Sequence, residues 1–330
     1  MITITTLIIS NKRYDYLKET IYSLMKFNSN IFIVVNGFNN EIVIFLEEIK
    51  LKYQYINFTI LHDKINKSDA RNVGVENINT DLIYFLDDDA FIDKNNIQIL
   101  QEKFETYPLL GVIGGPNLTP INSTKFEKIS GIMLSTYLLS WKMSHRYVSI
   151  GKDRYTDDSE LILCNLAIKK DLFTKYNLKF EKLLHYNEEN LLLEELKNNN
   201  VKILYSPDLS VYHHRRSSLL PFSLQVFYSG KGRALMTFFI PSSLRLFHLL
   251  PSIFIFYLIA LYFGKMTFIL LFIYLLVSLY NVLFTAILYN INIYDIALML
   301  VITFISHLSY GIGFITGIIQ GTIWKIKKIF

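Results

Sequence analysis

The stretch "TDLIYFLDDDAFID", Thr80–Asp93, decides how the chain is read. Five apolar residues, Leu82-Ile83-Tyr84-Phe85-Leu86, run directly into three carboxylates, Asp87-Asp88-Asp89. A short apolar run between polar residues is the pattern of a strand buried on both faces. Aspartate is common where a strand exits into a turn, so the triplet alone is compatible with a solvated loop. Adjacent like charges repel, however, and hard divalent cations prefer carboxylate oxygens, so a cation is the natural counterpart.

The residues before this stretch repeat its pattern. Thr3–Ile9, Ile31–Val35 and Ile56–Leu61 are apolar and β-rich, with helical spacing between them at Tyr14–Lys26, Glu41–Lys52 and Ala70–Asn77. Such alternation predicts a parallel sheet with helices on both faces. Ligands of sheets of this kind bind beyond the carboxyl ends of the strands, where Asp87–Asp89 fall. Further on, a helix around Asn95–Tyr107 precedes a strand in "GVIGGPNLTP", Gly111–Pro120. Glu160–Phe173 reads as a strand entering a helix. Another helix starts near Asn187 and ends at the Asn-rich "KNNN", before two short strands and His213-His214-Arg215-Arg216. Residues 121–160 are mixed and polar and show no usable periodicity.

Composition divides the 330-residue chain in two. Hydrophobic residues make up 52% and aromatics 15%, and from Leu249 to Trp324 only Lys265 and Asp295 are charged. A crossing helix needs roughly 20 apolar residues. The tail therefore has room for three, at about 246–264, 266–289 and 293–321. The net charge of +5 arises mostly from Arg245, Lys265, Lys325, Lys327 and Lys328, offset by Asp295, while residues 1–244 are nearly neutral. That distribution points to membrane flanks and not to nucleic acid. The single cysteine, Cys164, excludes an intrachain disulfide and suits a reducing compartment. The start, "MITITTLIISNKR", lacks the features of a signal peptide. The front domain is thus expected on the cytoplasmic face of a cell membrane, on a multi-pass anchor. Three crossings would put the C-terminus outside, whereas the basic "WKIKK" favours the cytosolic side. Either one segment is re-entrant or interfacial, or the rule is broken. "FFIPSSLRLFHLL", Phe238–Leu250, is amphipathic and suits the interface.

In sequence order, "SDARNVGVENINTDLIYFLDDDAFI", "GVIGGPNLTP", "LCNLAIKKDLF", "FEKLLHYNEENLLLEELKNNNVKILYSPDLSVYHH" and "QVFYSGKGRA" resemble the successive landmarks of glycosyltransferase family 2. The similarity covers about residues 3–234. It implies an α/β domain with the GT-A fold, a Rossmann-like mixed sheet, over residues 1–234, followed by all-α transmembrane helices over 235–330. It also implies an inverting hexosyl- or deoxyhexosyltransferase that takes a nucleotide-sugar donor and a divalent cation, Mn2+ or Mg2+. The anchored tail suits an acceptor hydroxyl at membrane lipids, on a lipid-linked sugar or a surface glycan.

Residue by residue, the resemblance makes Glu189 the catalytic base, with Glu188 second. It gives Asp89, Asp87 and His213 to the metal, with His214 one residue on. It gives Ser10, Arg13, Asn36, Arg71 and Asp87 to the nucleotide-sugar, with Asp88 expected to face away. Arg71, eighteen residues before Asp89, is a base or diphosphate contact. Arg215 and Arg216 suit phosphate or the membrane surface. Two motifs depart from the family. Its first strand usually ends Thr-x-Asn-Arg, and here Ser10-Asn11-Lys12-Arg13 stands there. Its second usually ends with an acidic base-reading residue, and "VVNGFNN" offers only Asn36. A catalytically inactive membrane scaffold is therefore an alternative. A sugar nucleotidyltransferase is a weaker one, because the first strand lacks the Gly-rich phosphate loop that reading wants.

Overall fold

The computed structural model describes residues 2–329. Two compact units emerge: a sheet unit, residues up to Pro120 with His145–His214, and a helical unit, Ile121–Ser144 with Arg215–Phe330. In the sheet unit, β1 (Ile4–Ser10), α1 (Tyr14–Met25), β2 (Asn30–Asn36), α2 (Asn40–Lys52), β3 (Ile56–Leu61), α3 (Lys67–Glu76) and β4 (Leu82–Leu86) alternate. Next come β5 (Ala90–Phe91), α4 (Asn96–Thr106), β6 (Leu110–Gly114) and β7 (Asn117–Leu118). The helical unit then contributes α5 (Lys125–Leu134) and α6 (Tyr137–Ser140). The sheet unit is completed by β8 (Arg154–Tyr155), β9 (Asn165–Lys169), α7 (Lys170–Lys175), α8 (Glu188–Asn198), β10 (Lys202–Tyr205) and β11 (Val211–His213). Helices α9 (Leu219–Met236), α10 (Leu246–Tyr262), α11 (Ile269–Leu288) and α12 (Ile296–Ile329) follow.

The main sheet has the order β3-β2-β1-β4-β9-β6-β10-β8. Strands β1 to β4 are parallel, as the alternation predicts. The sheet as a whole is mixed, because β9 runs antiparallel to both β4 and β6. Strand β4 lies at its centre. Leu82, Tyr84 and Leu86 enter one apolar cluster, while Ile83 and Phe85 enter another. The period-2 alternation of side chains thus fills both faces with one five-residue run. Tyr84 keeps its hydroxyl bonded by donating to Asn165 Oδ1 at 2.8 Å and accepting from Asn96 Nδ2 at 3.1 Å.

Asparagine sets many boundaries. Asn39, Asn66 and Asn95 cap α2, α3 and α4 by accepting from Ile42, Ser68 and Gln98 backbone N–H groups. After α8, Asn200 takes φ +60°, the left-handed conformation in which asparagine often ends a helix, so "KNNN" is a helix-ending turn.

In the helical unit, α9 packs against α12 at backbone distance: a Cβ on Gly313 would lie 2.0 Å from the Phe227 carbonyl oxygen. Gly317 does the same against the Lys231 carbonyl oxygen of α9 at 2.4 Å, and Gly311 against that of Pro251 on α10 at 2.5 Å. This explains why the compact units differ from the expected division at residues 234/235. Helix α9 continues unbroken through that point and belongs with α12. The unassigned residues 121–144 form α5, α6 and the start of a 3-10 turn, Trp141–Arg146. Among the described residues, two helices are long and apolar enough to cross a membrane, Ile269–Leu288 and Ile293–Lys327. The expected first span, 246–264, coincides with a shorter apolar helix, Leu246–Tyr262.

Candidate active site

The carboxyl ends of β1 and β4 and the small sheet β5-β11-β7 gather the charged residues. Strand β11 runs antiparallel to β5 with His213 opposite Ala90, which delivers the imidazole to the triplet. His213 Nε2 lies 3.1 Å from Asp89 Oδ1 and 4.0 Å from Asp87 Oδ2. The peptide N–H of His214 donates to the Asp89 carbonyl at 3.0 Å, while its ring meets Glu19 Oε2 at 2.7 Å. Arg13, which precedes α1, bonds Asp89 and reaches Asp88 Oδ1 at 3.5 Å. Asp88 does not face away: Ser10 Oγ donates to its Oδ2 at 2.8 Å. Burial raises the Asp88 carboxyl above its ordinary range, against the pull of Arg13 and that hydrogen bond. For Asp87 burial also opposes ionisation. Arg71, His213, Lys67 and Arg13 outweigh it and hold the carboxyl low.

A second acidic group lies at the start of α8. Asn187, at φ +64°, turns the chain so that Glu188 and Glu189 open the helix. Both are buried. Arg71 pairs with Glu188 and stands 5.9 Å over the Phe180 ring. This pair is nearly dry, so removing either partner strands a buried charge, at about 3–5 kcal/mol. Arg71 therefore links the two acidic groups electrically, toward Asp87 on one side and Glu188 on the other. Burial, aided by repulsion from Glu188, pushes the Glu189 carboxyl up to about 7, while Arg146 and Arg71 oppose the rise.

Of the expected residues, Ser10, Arg13, Asp87, Asp89 and His213 come together, and Arg71, Glu188 and Glu189 form the adjoining group. Asn36 needs correction as a nucleobase reader. Its Nδ2 donates to the Ile65 carbonyl at 3.0 Å, its Oδ1 accepts from the Ile65 N–H at 2.9 Å, and it is 2% exposed. The amide is turned onto the chain's own peptide and clamps the loop before α3.

Three residues escaped the sequence reading. Lys67, one turn before Arg71 on α3, adds a positive charge acting on Asp87 and Asp88; the i,i+4 spacing was its signal. Arg146 is buried, donating from Nε to the Ser159 carbonyl at 2.9 Å and from a terminal nitrogen to the Asp158 carbonyl at 2.5 Å. The Asp158 carbonyl also accepts from Asn190, the residue after Glu189. Cys164 brings its thiol near Asp87 and His213, with one ligand atom of each within 4.8 Å of the others. Pairing of Leu86 with Asn165 across β4 and β9 puts Cys164 there, which no local motif announces.

The donor set fits a divalent cation. Asp87 offers hard oxygens and His213 an imidazole, with the Cys164 thiol beside them, while Asp89 bonds Arg13 and His213.

Together the mixed sheet and the acidic strand end define the GT-A class of nucleotide-diphospho-sugar transferase folds. The profile of glycosyl transferase family 2 matches residues 5–176, and the chain belongs to that family. No curated protein matches it by sequence. Among solved structures it is similar to the mannosyltransferase PcManGT from Pyrobaculum calidifontis in complex with GDP-Man and Mn2+. The TM-score is 0.54 at 9% identity, covering 72% of this chain and 63% of that one. It is also similar to S. aureus TarS 1-349 in complex with UDP, at TM-score 0.50 and 11% identity, covering 71% and 65%. The chain thus spans less than two thirds of either relative.

Proposed function

We propose that the chain is an inverting glycosyltransferase that moves a sugar from a nucleotide-sugar to a hydroxyl of a membrane-associated acceptor. The observation that carries this reading is the pairing of two acidic groups through Arg71 at the sheet's carboxyl end: Asp87/Asp89/His213 on one side and Glu188/Glu189 on the other. Asp89, Asp87 and His213 would hold Mn2+ or Mg2+, which when bound supplies Lewis-acid stabilisation of the departing diphosphate. Arg13, Lys67 and Arg71 add fixed positive charge for the same diphosphate. With Glu188 tied to Arg71, Glu189 is the carboxylate that takes the proton from the acceptor hydroxyl as it attacks the anomeric carbon. A pKa near 7 suits that task, since a base works best when its pKa is close to the working pH.

The helical unit supports membrane anchoring through a two-crossing hairpin. Helices α10 and α11 run antiparallel, with Phe254 4.4 Å from Tyr274 by ring centroids and Tyr257 Oη donating to the Thr267 carbonyl at 2.8 Å. Their 17 and 20 residues fall within the roughly 17–25 that span a bilayer. Asp295, between α11 and α12, pairs with Lys125 at 3.1 Å. That pair ties the α11–α12 connection to α5 of the same unit. Helix α12, roughly 51 Å long, lies along the interface instead of crossing. An even number of crossings returns Lys325 and Lys327 to the cytosol, which reconciles the tail with the positive-inside rule.

The test is nucleoside diphosphate release by the detergent-purified protein from a panel of nucleotide-sugars, with membrane lipid extract as acceptor and with or without Mn2+ or Mg2+. Metal-dependent release from one donor is expected, with Glu189→Gln lowering turnover about 10²–10⁴-fold and Asp89→Ala at least as much. Silence across the panel would overturn the reading. The pH profile gives a second check. Glu189 must be ionised to act, so turnover falls as pH drops through about 7. Arg146→Gln removes a charge that favours the ionised form, so it moves this acidic limb to higher pH. The sign for stability is opposite. Between about 4.5, its value when exposed, and about 7 the native Glu189 keeps a proton that the unfolded chain releases, so its contribution falls as pH rises across that window.

A further inference from the structure

We propose that a cavity inside the helical unit holds the hydrocarbon chain of the lipid that carries the acceptor hydroxyl, a subsite that rests on the membrane-acceptor reading above. The cavity is about 300 Å³ and is walled by Leu134, Tyr137–Trp141 and Met143, by Val226 of α9, by the first half of α10 and by facing residues of α11 and α12. Its lining is aliphatic and aromatic for the most part. Three polar residues of the α11–α12 wall are hydrogen-bonded to protein. His307 Nδ1 meets Tyr274 Oη at 2.9 Å, His307 Nε2 meets the Leu138 carbonyl at 3.0 Å, and Ser306 Oγ donates to the Ile302 carbonyl at 2.7 Å. A buried water needs two to four polar partners, whereas space lined this way takes apolar ligands.

The mouth says what kind of apolar ligand. Leu250, Tyr137 and Trp141 line the cavity and are also exposed, at 57%, 55% and 49%. Leu250 continues an exposed apolar stripe along α10 through Ile253, Phe256 and Ile259. The cavity therefore opens onto a surface made for hydrocarbon, and a chain enters without crossing water. Tyr137 and Trp141 pack edge to face at 6.1 Å, and Trp141 stacks on Phe247 at 5.9 Å. Rings of this kind collect where lipid headgroups meet the acyl region, so the rim fits a lipid whose polar end stays outside.

The same stretch argues for the acceptor over bulk lipid. Trp141 and Met143 lie in the 3-10 turn that ends at Arg146, whose guanidinium binds the Asp158 and Ser159 carbonyls beside the base-bearing helix α8. Seating a chain against Trp141 thus engages a segment covalently continuous with the base's own support.

The experiment uses the full chain in phospholipid nanodiscs and a polyprenyl phosphate bearing a diazirine at the far end of its chain. After irradiation, the labelled peptides are mapped by mass spectrometry. The expected result is label within residues 134–143 and 306–310, competed by unlabelled polyprenyl phosphate and not by added phospholipid. Val226→Trp or Ser306→Phe, which fill the cavity, should each lower that label about tenfold while the folded protein is retained. Label confined to outward residues such as Phe272 and Ile287 would overturn the proposal. So would cavity label that phospholipid competes equally well, which would mark a site for bulk lipid. The wild-type competition stands even if both variants misfold. Crosslinking needs no turnover: active enzyme without cavity label overturns the pocket alone, and labelled enzyme that never consumes donor overturns the transferase reading alone.

Discussion

Strand β4 and helix α11 are both strongly apolar stretches, and they use that character in opposite directions. In β4 every residue is buried. In α11 the buried residues are Ser278, Val282, Thr285 and Ala286, while Phe272, Tyr280 and Ile287 are 61%, 72% and 82% exposed. The strand hides its large side chains between two protein layers. The helix turns its small ones inward and its large ones out. A water-facing helix would show the reverse, since exposed apolar patches of this size mark contact with something other than water. Hydropathy measures how much apolar surface a segment has, and the position of small residues tells which way that surface faces.

The largest effect that tests this contrast comes from deleting one ring at each place. Phe85 packs within 5.5 Å of Phe180 by ring centroids and is 3% exposed. Phe85→Ala should destabilise the sheet unit by about 3–5 kcal/mol. Phe272→Ala should change the stability of detergent-solubilised protein by under about 0.5 kcal/mol, as at a surface position. Denaturant titration of the detergent-solubilised protein, followed by its far-ultraviolet circular dichroism, compares the two. Equal losses would mean that the outer face of α11 is packed against protein, and the inverted reading would fail.

A smaller effect sharpens the point that the helical unit has a core of its own, built from backbone. At Gly313 and Gly317, a Cβ would approach the Phe227 and Lys231 carbonyl oxygens to 2.0 and 2.4 Å. A carbonyl cannot swing aside as a side-chain tip can. Gly313→Val should therefore cost about 1–3 kcal/mol or separate α9 from α12. The outward Ile312→Val, one residue earlier and 48% exposed, should be close to neutral. Thermal unfolding in one detergent reads both.

What could be foreseen from sequence follows the same division. Strands β1 to β4 and helices α1 to α4 were legible within a few residues, because buried runs and helical spacing are local signals. The antiparallel placement of β9 was not legible from its own residues, and with it went Cys164, which reaches the triplet only through pairing with β4. The gathering of Asp89, His213, Arg71 and Glu188 follows the order of family landmarks, although 124 residues separate Asp89 from His213. Asn36 misled because an amide at a strand end suits a ligand as well as the chain's own backbone, and here Ile65 takes it. The tail was legible as apolar, but counting apolar residues does not separate a crossing helix from one lying in the interface.

Residues 121–144 gave no periodicity and yet contain the most local signal of all, which makes α5 the finest test of the contrast. Thr124 and Glu127 form a reciprocal capping box: Thr124 Oγ1 accepts from the Glu127 N–H at 3.4 Å, and Glu127 Oε2 accepts from the Thr124 N–H at 2.8 Å. The S/T-x-x-E spacing stands in the sequence as "TKFE" and marks a helix start by itself. It is masked because the helix that follows buries Ile129 and Met133 against Phe222, Met299 and Ile302, partners far along the chain. Thr124→Ala should cost about 1 kcal/mol, the usual value of a lost cap. Thr124→Ser, which keeps the oxygen, should restore nearly all of it. A loss well above this in unfolding experiments would mean that α5 is held mainly by its cap. A loss near zero would mean that the apolar partners hold it, and that in this unit packing between distant helices outweighs local signals, whereas in β1 to β4 the two agree.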